Sequence, residues 1–228
     1  MPARLRPTAP VAADAILVGD PGRALLLAQE LLEEPKMSNH ARGLWGYSGH
    51  TAAGAELTIQ STGMGAPSAA AVLADLAKLG VRRAVRVGTC AARAERARLG
   101  ELLLVEEAVA TEGSAAAFGL AAGMAIEPDP GLLERLRREL GVDARGARIV
   151  SLDALPADFA GVPAEVAAAD MQTVAVLAKG RALGIATAAV LIVADAAGER
   201  MEGADLEAVA KQGGRAASKT LSKPKVEG

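Results

Sequence analysis

The sequence is poor in the residues that build disulfides and metal centres. It has one cysteine, Cys90, and two histidines, His40 and His50. A single cysteine cannot close a disulfide within the chain, and this low usage is typical of a reducing compartment. We predict no metal site. Cys90 is interpreted as a small buried residue rather than a nucleophile, since free cysteines are among the most buried residue types.

The sequence also lacks a strong charge of either sign and a long apolar run. Its 25 basic and 27 acidic side chains give a formal net charge of −2. A nearly neutral chain has no surface built to follow nucleic acid or anionic lipid. No stretch reaches the roughly 18 uncharged apolar residues of a membrane span, and Pro7, Pro10 and Asp14 interrupt the region where a secretion signal would lie. We therefore expect a cytoplasmic protein with neither nucleic-acid nor membrane partners.

Aromatic side chains are scarce as well. They make up 2% of the chain, so a flat ligand would find few rings to stack on. Apolar residues nevertheless account for 51% and charged residues for 23%, which is the balance of an ordinary globular protein. The length of 228 residues fits one domain, 1–228, and we expect residues 1–13 and 219–228 at its ends to be flexible.

What the chain does have is a regular alternation of short β-rich apolar runs with longer segments of helical period. The runs predict strands over residues 15–18, 57–61, 84–87, 102–109, 147–151 and 188–194. The longer segments predict helices over residues 23–33, 66–79, 131–140, 171–183 and 205–218. This alternation is typical of an α/β protein, in which ligands collect at the carboxyl ends of parallel strands. Residues 154–169, with two prolines and no clear period, are predicted to form an excursion that could cover a pocket.

Three of the predicted strands run into turns that contain glycine. The first turn, residues 19–23, has an aspartate suited to cap a helix and a proline suited to its first position. The start of that helix would offer free N–H groups and a positive dipole end to an anion, and Arg23 could add a planar cation. A plain capped turn with a solvated arginine explains the same residues equally well.

The second and third turns lie at residues 61–68 and 86–90. The two glycines of the second turn would let the backbone approach a ligand closely, or would only provide the positive φ of a tight turn. Met64 between them suits either the core or a soft wall against a ligand. In the third turn Arg86 stands in an apolar strand, and a buried arginine almost always has an anionic partner. That partner is either a bound anion or a carboxylate of the chain itself.

Taken in order, these turns and three further segments resemble the motifs of the nucleoside phosphorylase family, which includes purine nucleoside phosphorylases, uridine phosphorylases and methylthioadenosine nucleosidases. The family's motifs read GDPxR, RGxxGxxG, STGMGxPS, RVGTCG, EMExA and VSD. The corresponding segments here are residues 19–23, 42–49, 61–68, 86–91, 170–173 and 193–195. The resemblance implies a three-layer phosphorylase/hydrolase-like α/β fold, with a mixed, mainly parallel central sheet flanked by helices.

The resemblance also implies a reaction and its phosphate site. Phosphate would attack the anomeric carbon of a nucleoside and release the free base and ribose 1-phosphate, with no cofactor and with inorganic phosphate as co-substrate. The positions that match phosphate-binding residues of the family are Gly19, Arg23, Arg42, Arg86 and Thr89. In the family the arginine matching Arg42 reaches across from the neighbouring subunit, so a homo-oligomer, either a dimer or a trimer of dimers, is implied.

The nucleoside itself would contact a second set of residues. The candidate nucleoside-binding residues are Met64, Leu155, Asp170, Met171 and Gln172. Asp195 matches the acid that protonates or hydrogen-bonds a purine base as it leaves. Partial burial at the end of its strand would help to keep this carboxyl group protonated.

The sequence departs from the family pattern at the sugar and base positions. Gln172 stands where the family has a glutamate that grips the ribose hydroxyls, and a glutamate restored there is expected to improve ribonucleoside turnover. Asp170 could compensate in part if its carboxylate leans inward. Leu155 replaces a stacking aromatic, and the N-terminal histidine of hexameric purine enzymes is missing. The glutamine and arginine pair with which uridine phosphorylases read uracil is absent from residues 151–170, so purine is favoured over uridine.

Three other functions stay open. One is a uridine phosphorylase. Another is a nucleosidase that uses water, although that reaction would not need three arginines around one anion. The third is a nucleoside-binding homologue with weak turnover, for which Gln172 is the main support.

Overall fold

In the computed structural model, which describes residues 3–93, 95–111, 113–154 and 162–222, strands and helices alternate along the chain. The strands are β1 (Asp14–Val18), β2 (Glu33–Asn39), β3 (Gly46–His50), β4 (Glu56–Ser61), β5 (Arg83–Ala92), β6 (Leu102–Ala110), β7 (Ala125–Ile126), β8 (Ala144–Ser151), β9 (Ala168–Asp170), β10 (Ala186–Ala196) and β11 (Glu199–Arg200). The helices are α1 (Pro21–Leu31), α2 (Ala66–Lys78), α3 (Pro130–Leu140), α4 (Thr173–Leu183) and α5 (Gly203–Ser222). Each predicted strand and helix corresponds to one of these elements, and the α/β fold class is confirmed.

The strands that the sequence did not predict carry weak local signals. β2 reads EEPKMSN, with no alternation of apolar and polar residues, and its side chains are mostly exposed. β7 and β11 have two residues each, and β9 has three. Strands this short are defined by their pairing with neighbouring strands. Because those neighbours are distant in the sequence, the residues of the short strands alone do not predict them.

The sheet is parallel at its centre and contains antiparallel pairs on both sides of that centre. Strands β4, β1, β5 and β10 lie side by side and parallel. β3 and β2 continue the sheet in antiparallel fashion beyond β4. β6, β8 and β9 follow on the side of β10, and β9 pairs back to the end of β5. Because parallel strands end at the same edge of a sheet, the turns after β1 and β4 lie together: the Thr62 N–H donates to Val18 O over 2.7 Å.

Helices cover both faces of the sheet. α1, α3 and α5 pack on the face that contains Ile16 and Val85. α2 and α4 pack on the opposite face, which contains Leu17 and Ala84. The alternation of successive side chains along β1 and β5 produces this division. Strands buried on both faces read as continuous apolar runs, which is why they could be recognised in the sequence. The three-layer arrangement is as predicted.

The two ends of the described chain are held by contacts, although we expected flexibility at residues 1–13 and 219–228. Leu5 is buried, and its N–H and that of Arg4 donate to Asp75 Oδ2 over 3.1 and 2.5 Å. At the other end α5 continues to Ser222, and Leu221 is buried in the core. Residues 1, 2 and 223–228 lie outside the described residues.

Among the described residues, no helix combines the length and the apolar character that crossing a bilayer requires.

Candidate active site

The turn between β1 and α1 has the capped geometry that its sequence predicts. Asp20 is the N-cap of α1 and accepts a hydrogen bond from the Arg23 N–H over 2.7 Å, and Pro21 occupies the first turn. The Arg23 side chain is half-buried. Burial lowers the pKa of Arg23, the nearby Asp20 carboxylate opposes this change, and the positive charge of Arg86 lowers the pKa further. Within the part of the chain that the structure describes, no side chain or carbonyl pairs with the Arg23 guanidinium.

The turn after β4 lies beside the first turn. Gly63 and Gly65 have φ of 69° and 80°, in the left-handed region that favours glycine. The Ser68 hydroxyl donates to Thr62 O over 2.6 Å and holds the turn against the start of α2. A Cβ on Gly63 would lie 2.8 Å from Ser68 Oγ, so the position has no room for a side chain. Met64 is 82% exposed and is therefore not a core residue, which leaves the interpretation that it forms a wall against a ligand.

Arg86, in β5, is 4% exposed and has its anionic partner within the chain. Its Nε and Nη2 donate to Asp170 Oδ2 over 3.3 and 2.9 Å, and Nη1 donates to Gln172 Oε1 over 2.8 Å. The guanidinium lies over Gly88, because a Cβ there would come within 2.6 Å of Arg86 Cζ. The sequence left two possible partners for Arg86, a bound anion and a carboxylate of the chain, and the structure shows the carboxylate, Asp170.

Asp170 is 1% exposed and accepts hydrogen bonds from three groups besides the arginine. The Ser151 hydroxyl donates over 2.5 Å, the Thr173 hydroxyl over 2.6 Å and the Thr173 N–H over 3.0 Å to Oδ2 and 3.2 Å to Oδ1. These donors, together with Arg86, give both oxygens of the buried carboxylate hydrogen-bond partners. It is committed to Arg86 and does not lean towards a ligand, so the compensation suggested for it is not seen. Ser151 and Thr173 were not among the predicted site residues.

Gln172 is 3% exposed and joins the two turns to this ion pair. Its Nε2 donates to Gly63 O over 2.6 Å and to Gly65 O over 3.2 Å. Its Oε1 accepts from Arg86 and from the Thr62 hydroxyl, the latter over 3.0 Å. Gly19 is adjacent, since a Cβ on it would lie 3.5 Å from Gly63 O and 3.9 Å from Gln172 Oε1. The structure thus brings Gly19, Arg86, Asp170 and Gln172 into one cluster.

Met171 and Thr89 are close in the chain to members of this cluster: Met171 lies between Asp170 and Gln172, and Thr89 lies three residues after Arg86. Met171 is half-buried and lines a small cavity together with Ala66, Phe118 and Leu152. Phe118 therefore brings one of the few aromatic rings beside a predicted nucleoside-binding residue. Thr89 lies in β5 opposite Ile192 of β10, and its half-buried side chain has no hydrogen bond to any residue that the structure describes.

Three predicted site residues lie apart from the cluster or outside the description. Arg42 is exposed in a short turn, has a left-handed φ of 61°, and lines a separate groove with Arg6 and His40. Asp195 lies beside Ala91 at the end of β10, but its side chain is exposed, which corrects the expected partial burial. The β-bulge after Val193 and the short hairpin to β11 put this carboxylate outside the core. Leu155, with residues 156–161 of the predicted excursion, lies outside the described residues.

Cys90, four residues after Arg86 in β5, is buried as predicted. Burial raises the pKa of its thiol, and the negative charge of Asp170 acts in the same direction. The thiol therefore stays protonated at neutral pH. A protonated, buried thiol is not a nucleophile.

Most of this chain is similar to a known protein family. The sequence profile of the phosphorylase superfamily matches residues 14–223. The chain belongs to the phosphorylase superfamily. This superfamily member is 41% identical over 98 residues to the DeoD-type purine nucleoside phosphorylase of Oceanobacillus iheyensis, a match that covers 42% of the chain and 41% of the relative. It is 35% identical over 103 residues to the enzyme of the same name from Clostridium beijerinckii, with 45% and 43% covered. The chain therefore matches less than half the length of these curated relatives.

Solved structures with the same fold extend over almost the whole superfamily domain. Purine nucleoside phosphorylase from Toxoplasma gondii, in complex with immucillin-H, has a TM-score of 0.81 at 23% identity and covers 93% of this chain and 91% of its own. Uridine phosphorylase from Vibrio fischeri ES114 has a TM-score of 0.77 at 24% identity, with 94% and 93% covered. At these identities the likeness shows the fold alone, which is the phosphorylase fold predicted from the motifs.

Proposed function

We propose that this chain is a nucleoside phosphorylase, which uses phosphate to cleave the N-glycosidic bond of a nucleoside, with purine nucleosides favoured. The observation that carries the proposal is the pair of cations at the predicted phosphate-binding positions. Arg23 is half-buried, is unpaired within the described residues, and lies close enough to Arg86 for the second charge to lower its pKa. Because Arg86 already pairs with Asp170, the half-buried Arg23 beside it is the cation that favours a bound anion in this partly desolvated site. Phosphate, with the positive end of α1 beside it, meets that requirement.

The charge balance of the cluster supports an oligomer. Asp170 pairs with Arg86, and the nearby Asp20 carboxylate acts on Arg23, so a single chain offers a phosphate little more than the one positive charge of Arg23. A doubly charged phosphate would need a further cation. Arg42 has an exposed guanidinium and no partner among residues 3–93, 95–111, 113–154 and 162–222. We propose that Arg42 completes the phosphate site of a neighbouring copy of the chain, as the family resemblance implies.

The proposed reaction is a displacement at the anomeric carbon. A phosphate oxygen forms the new C–O bond while the C–N bond to the base breaks, and the bonding electrons leave with the base. Arg23 and the N-terminus of α1 would hold the phosphate in position, an effect that removes the entropic cost of bringing the two reactants together. The resemblance gives Asp195 the role of donating a proton or a hydrogen bond to the departing purine, which would lower the charge that develops on it; the exposed carboxyl group would have to be protonated when the nucleoside is bound. Met64 and Met171 would pack against the nucleoside.

The test is base release from a panel of inosine, guanosine, adenosine and uridine, with and without inorganic phosphate. We expect release of a purine base that depends on phosphate, together with formation of ribose 1-phosphate. Arg23→Met should raise the KM for phosphate by roughly 10- to 100-fold, since a charge-assisted hydrogen bond is worth about 1.5–3 kcal/mol. Arg138→Met, which removes an exposed arginine from α3, is the matched control and should leave this KM unchanged.

The other outcomes identify the alternatives. Equal release without phosphate would overturn the phosphorylase proposal in favour of a nucleosidase, and release from uridine alone would replace purine by uracil. One observation favours a nucleoside-binding homologue with weak turnover: the side chains of Asp170 and Gln172 both form hydrogen bonds with other groups of the protein. Tight binding of a nucleoside with no base release in either condition would establish that reading.

A further inference from the structure

The turn that carries Arg42 has an unfavourable backbone conformation. Arg42 has φ of 61° and Gly43 has φ of 69°, so two consecutive residues lie in the left-handed region. That region favours glycine, and a residue with a β-carbon stays in it only where surrounding contacts hold it there. Because the Arg42 side chain is exposed, those contacts have to come from residues beside the turn.

Asn39, the last residue of β2, has the side chain that closes this turn. It is 2% exposed, and its Nδ2 donates to Leu44 O, on the far side of the turn, and to Ala41 O over 3.4 Å. Its Oδ1 accepts from the Arg6 N–H over 2.8 Å. The orientation of the amide is fixed by chemistry, because a carbonyl oxygen can only accept and a backbone N–H can only donate. One buried side chain thus connects the two sides of the Arg42 turn with each other and with the N-terminal segment.

The partners of Asn39 are themselves anchored to the domain. Leu5, next to Arg6, is buried, and its N–H donates to Asp75 Oδ2 on α2 over 3.1 Å. Leu44 O also accepts from Gln60 Nε2 over 2.9 Å, so the end of the turn stays attached to β4 whatever residue occupies position 39. Loss of the Asn39 amide should therefore loosen the Arg42 turn without unfolding the sheet.

From these contacts we infer that Asn39 is a positioning residue for the phosphate site, which holds Arg42 in the conformation that reaches a neighbouring copy. The inference rests on the proposed function, in which Arg42 completes that copy's site. Asn39 would contact neither the phosphate nor the nucleoside. A turn that adopts its binding conformation for only a fraction of the time weakens phosphate binding by that fraction. The expected effect is therefore on the KM for phosphate.

The first test measures the KM for phosphate at a saturating concentration of purine nucleoside. Arg42→Met should raise this KM by roughly 10- to 100-fold, because it removes a charged hydrogen-bond donor. Asn39→Ala should raise it by roughly three- to tenfold, with little change in kcat. Asn39→Asp should act like Asn39→Ala, because a carboxylate keeps the acceptor for the Arg6 N–H but has no hydrogen to donate to Leu44 O.

A double-mutant comparison shows whether Asn39 acts through Arg42. With Arg42→Met already present, Asn39→Ala should change the KM for phosphate by less than about twofold, since no guanidinium is left to position. Thr51→Val is the matched control. It removes another buried side chain that closes a turn, because Thr51 Oγ1 accepts from the Ala55 N–H over 3.2 Å at the opposite end of β3. This control should leave the KM for phosphate unchanged.

Three kinetic results would overturn the inference. The first is an unchanged KM for phosphate in both Asn39 variants. The second is an effect of Asn39→Ala that is equally large when Arg42 is already methionine. The third is an equal effect of Thr51→Val, which would mean that any loosened turn on β3 weakens phosphate binding.

The second test does not depend on turnover. Trypsin cleaves after arginine, and cleavage within a folded protein requires local opening of the backbone. Asn39→Ala should raise the rate of cleavage between Arg42 and Gly43 by roughly fivefold or more, measured by mass spectrometry of the fragments. Thr51→Val should leave the rate at this bond unchanged. Equal rates in the wild type and in Asn39→Ala would show that Asn39 does not hold the turn.

The two tests separate the inference from the function on which it rests. If phosphate does not support base release, the phosphorylase proposal fails and the role of Asn39 in phosphate binding fails with it, while the cleavage rates still decide whether Asn39 holds the turn. If phosphate supports base release and Arg42→Met raises the KM for phosphate but Asn39→Ala does not, the phosphorylase proposal stands and the inference alone is wrong.

Discussion

Replacing Asp170 by asparagine should destabilise the protein more than any surface change. The substitution keeps the shape of the side chain but removes the charge that faces Arg86, which is 4% exposed. Breaking one partner of a buried ion pair costs about 3–5 kcal/mol, because the remaining charge stays buried without compensation. Whichever oxygen became the amide nitrogen would also face an N–H donor, from Arg86 or from the Thr173 backbone. Set against a typical stability of about 5–15 kcal/mol, this is a large fraction of the total.

The assay is urea unfolding, followed by far-ultraviolet circular dichroism and by the fluorescence of Trp45, the single tryptophan. The free energy of unfolding of Asp170→Asn should fall by about 3–5 kcal/mol with an unchanged denaturant slope. Glu106→Gln is the control: it breaks an ion pair with Arg137 in which both side chains are nearly half exposed, and such pairs are worth about 0–1 kcal/mol. A loss for Asp170→Asn no larger than that of the control would refute the reasoning.

Two further predictions concern β5 and its surroundings. Gly88→Ala should lower stability by about 1–3 kcal/mol and weaken phosphate binding, because the new Cβ would come within 2.6 Å of the Arg86 guanidinium. Gly213→Ala in α5 is the control, and because its Cβ would make only ordinary contacts it should be neutral or slightly stabilising. Equal urea midpoints for the two variants would contradict this. Burial raises the pKa of Cys90, so above the ordinary thiol pKa of about 8.5 only the unfolded chain gains a thiolate, and stability should fall by about 1.4 kcal/mol per pH unit. Urea midpoints measured between pH 7.5 and pH 10 should show this fall in the wild type and not in Cys90→Ala; parallel curves would disprove it.

The features that could be predicted from the sequence are those that depend on residues close together in the chain. The capped start of α1 could be predicted because Asp20 and Pro21 act on their own turn. The central strands were recognisable because burial on both faces makes their residues uniformly apolar. The glycines at 63 and 65 were recognisable as turn residues, and both have the positive φ that such turns require. These features depend on residues within a few positions of one another.

The partners in the candidate site could not be found in this way, because they are far apart in the chain. Asp170 lies 84 residues after Arg86, and Gln172 lies 110 residues after Thr62. From the sequence, an anion and an internal carboxylate were equally good partners for Arg86. Serine and threonine, such as Ser151 and Thr173, are too common to stand out until the fold brings their hydroxyls to the carboxylate. The exposure of Asp195 likewise depends on a bulge and a hairpin that carry no sequence signal.

The stability of the fold does not explain why the buried ion pair of Arg86 and Asp170 is present. Well-packed apolar residues of similar volume in place of such a pair are often neutral or stabilising, so the fold does not need Arg86 and Asp170 for its own sake. What apolar residues could not provide is a guanidinium fixed at the edge of the sheet where Arg23 and the start of α1 meet. Asp170, with its donors from Ser151 and Thr173, holds that cation in one orientation, and preorganised charge is what stabilises a bound oxyanion. The double replacement of Arg86 by methionine and Asp170 by leucine should accordingly recover much of the stability lost in Asp170→Asn, while the proposed phosphate binding should be lost.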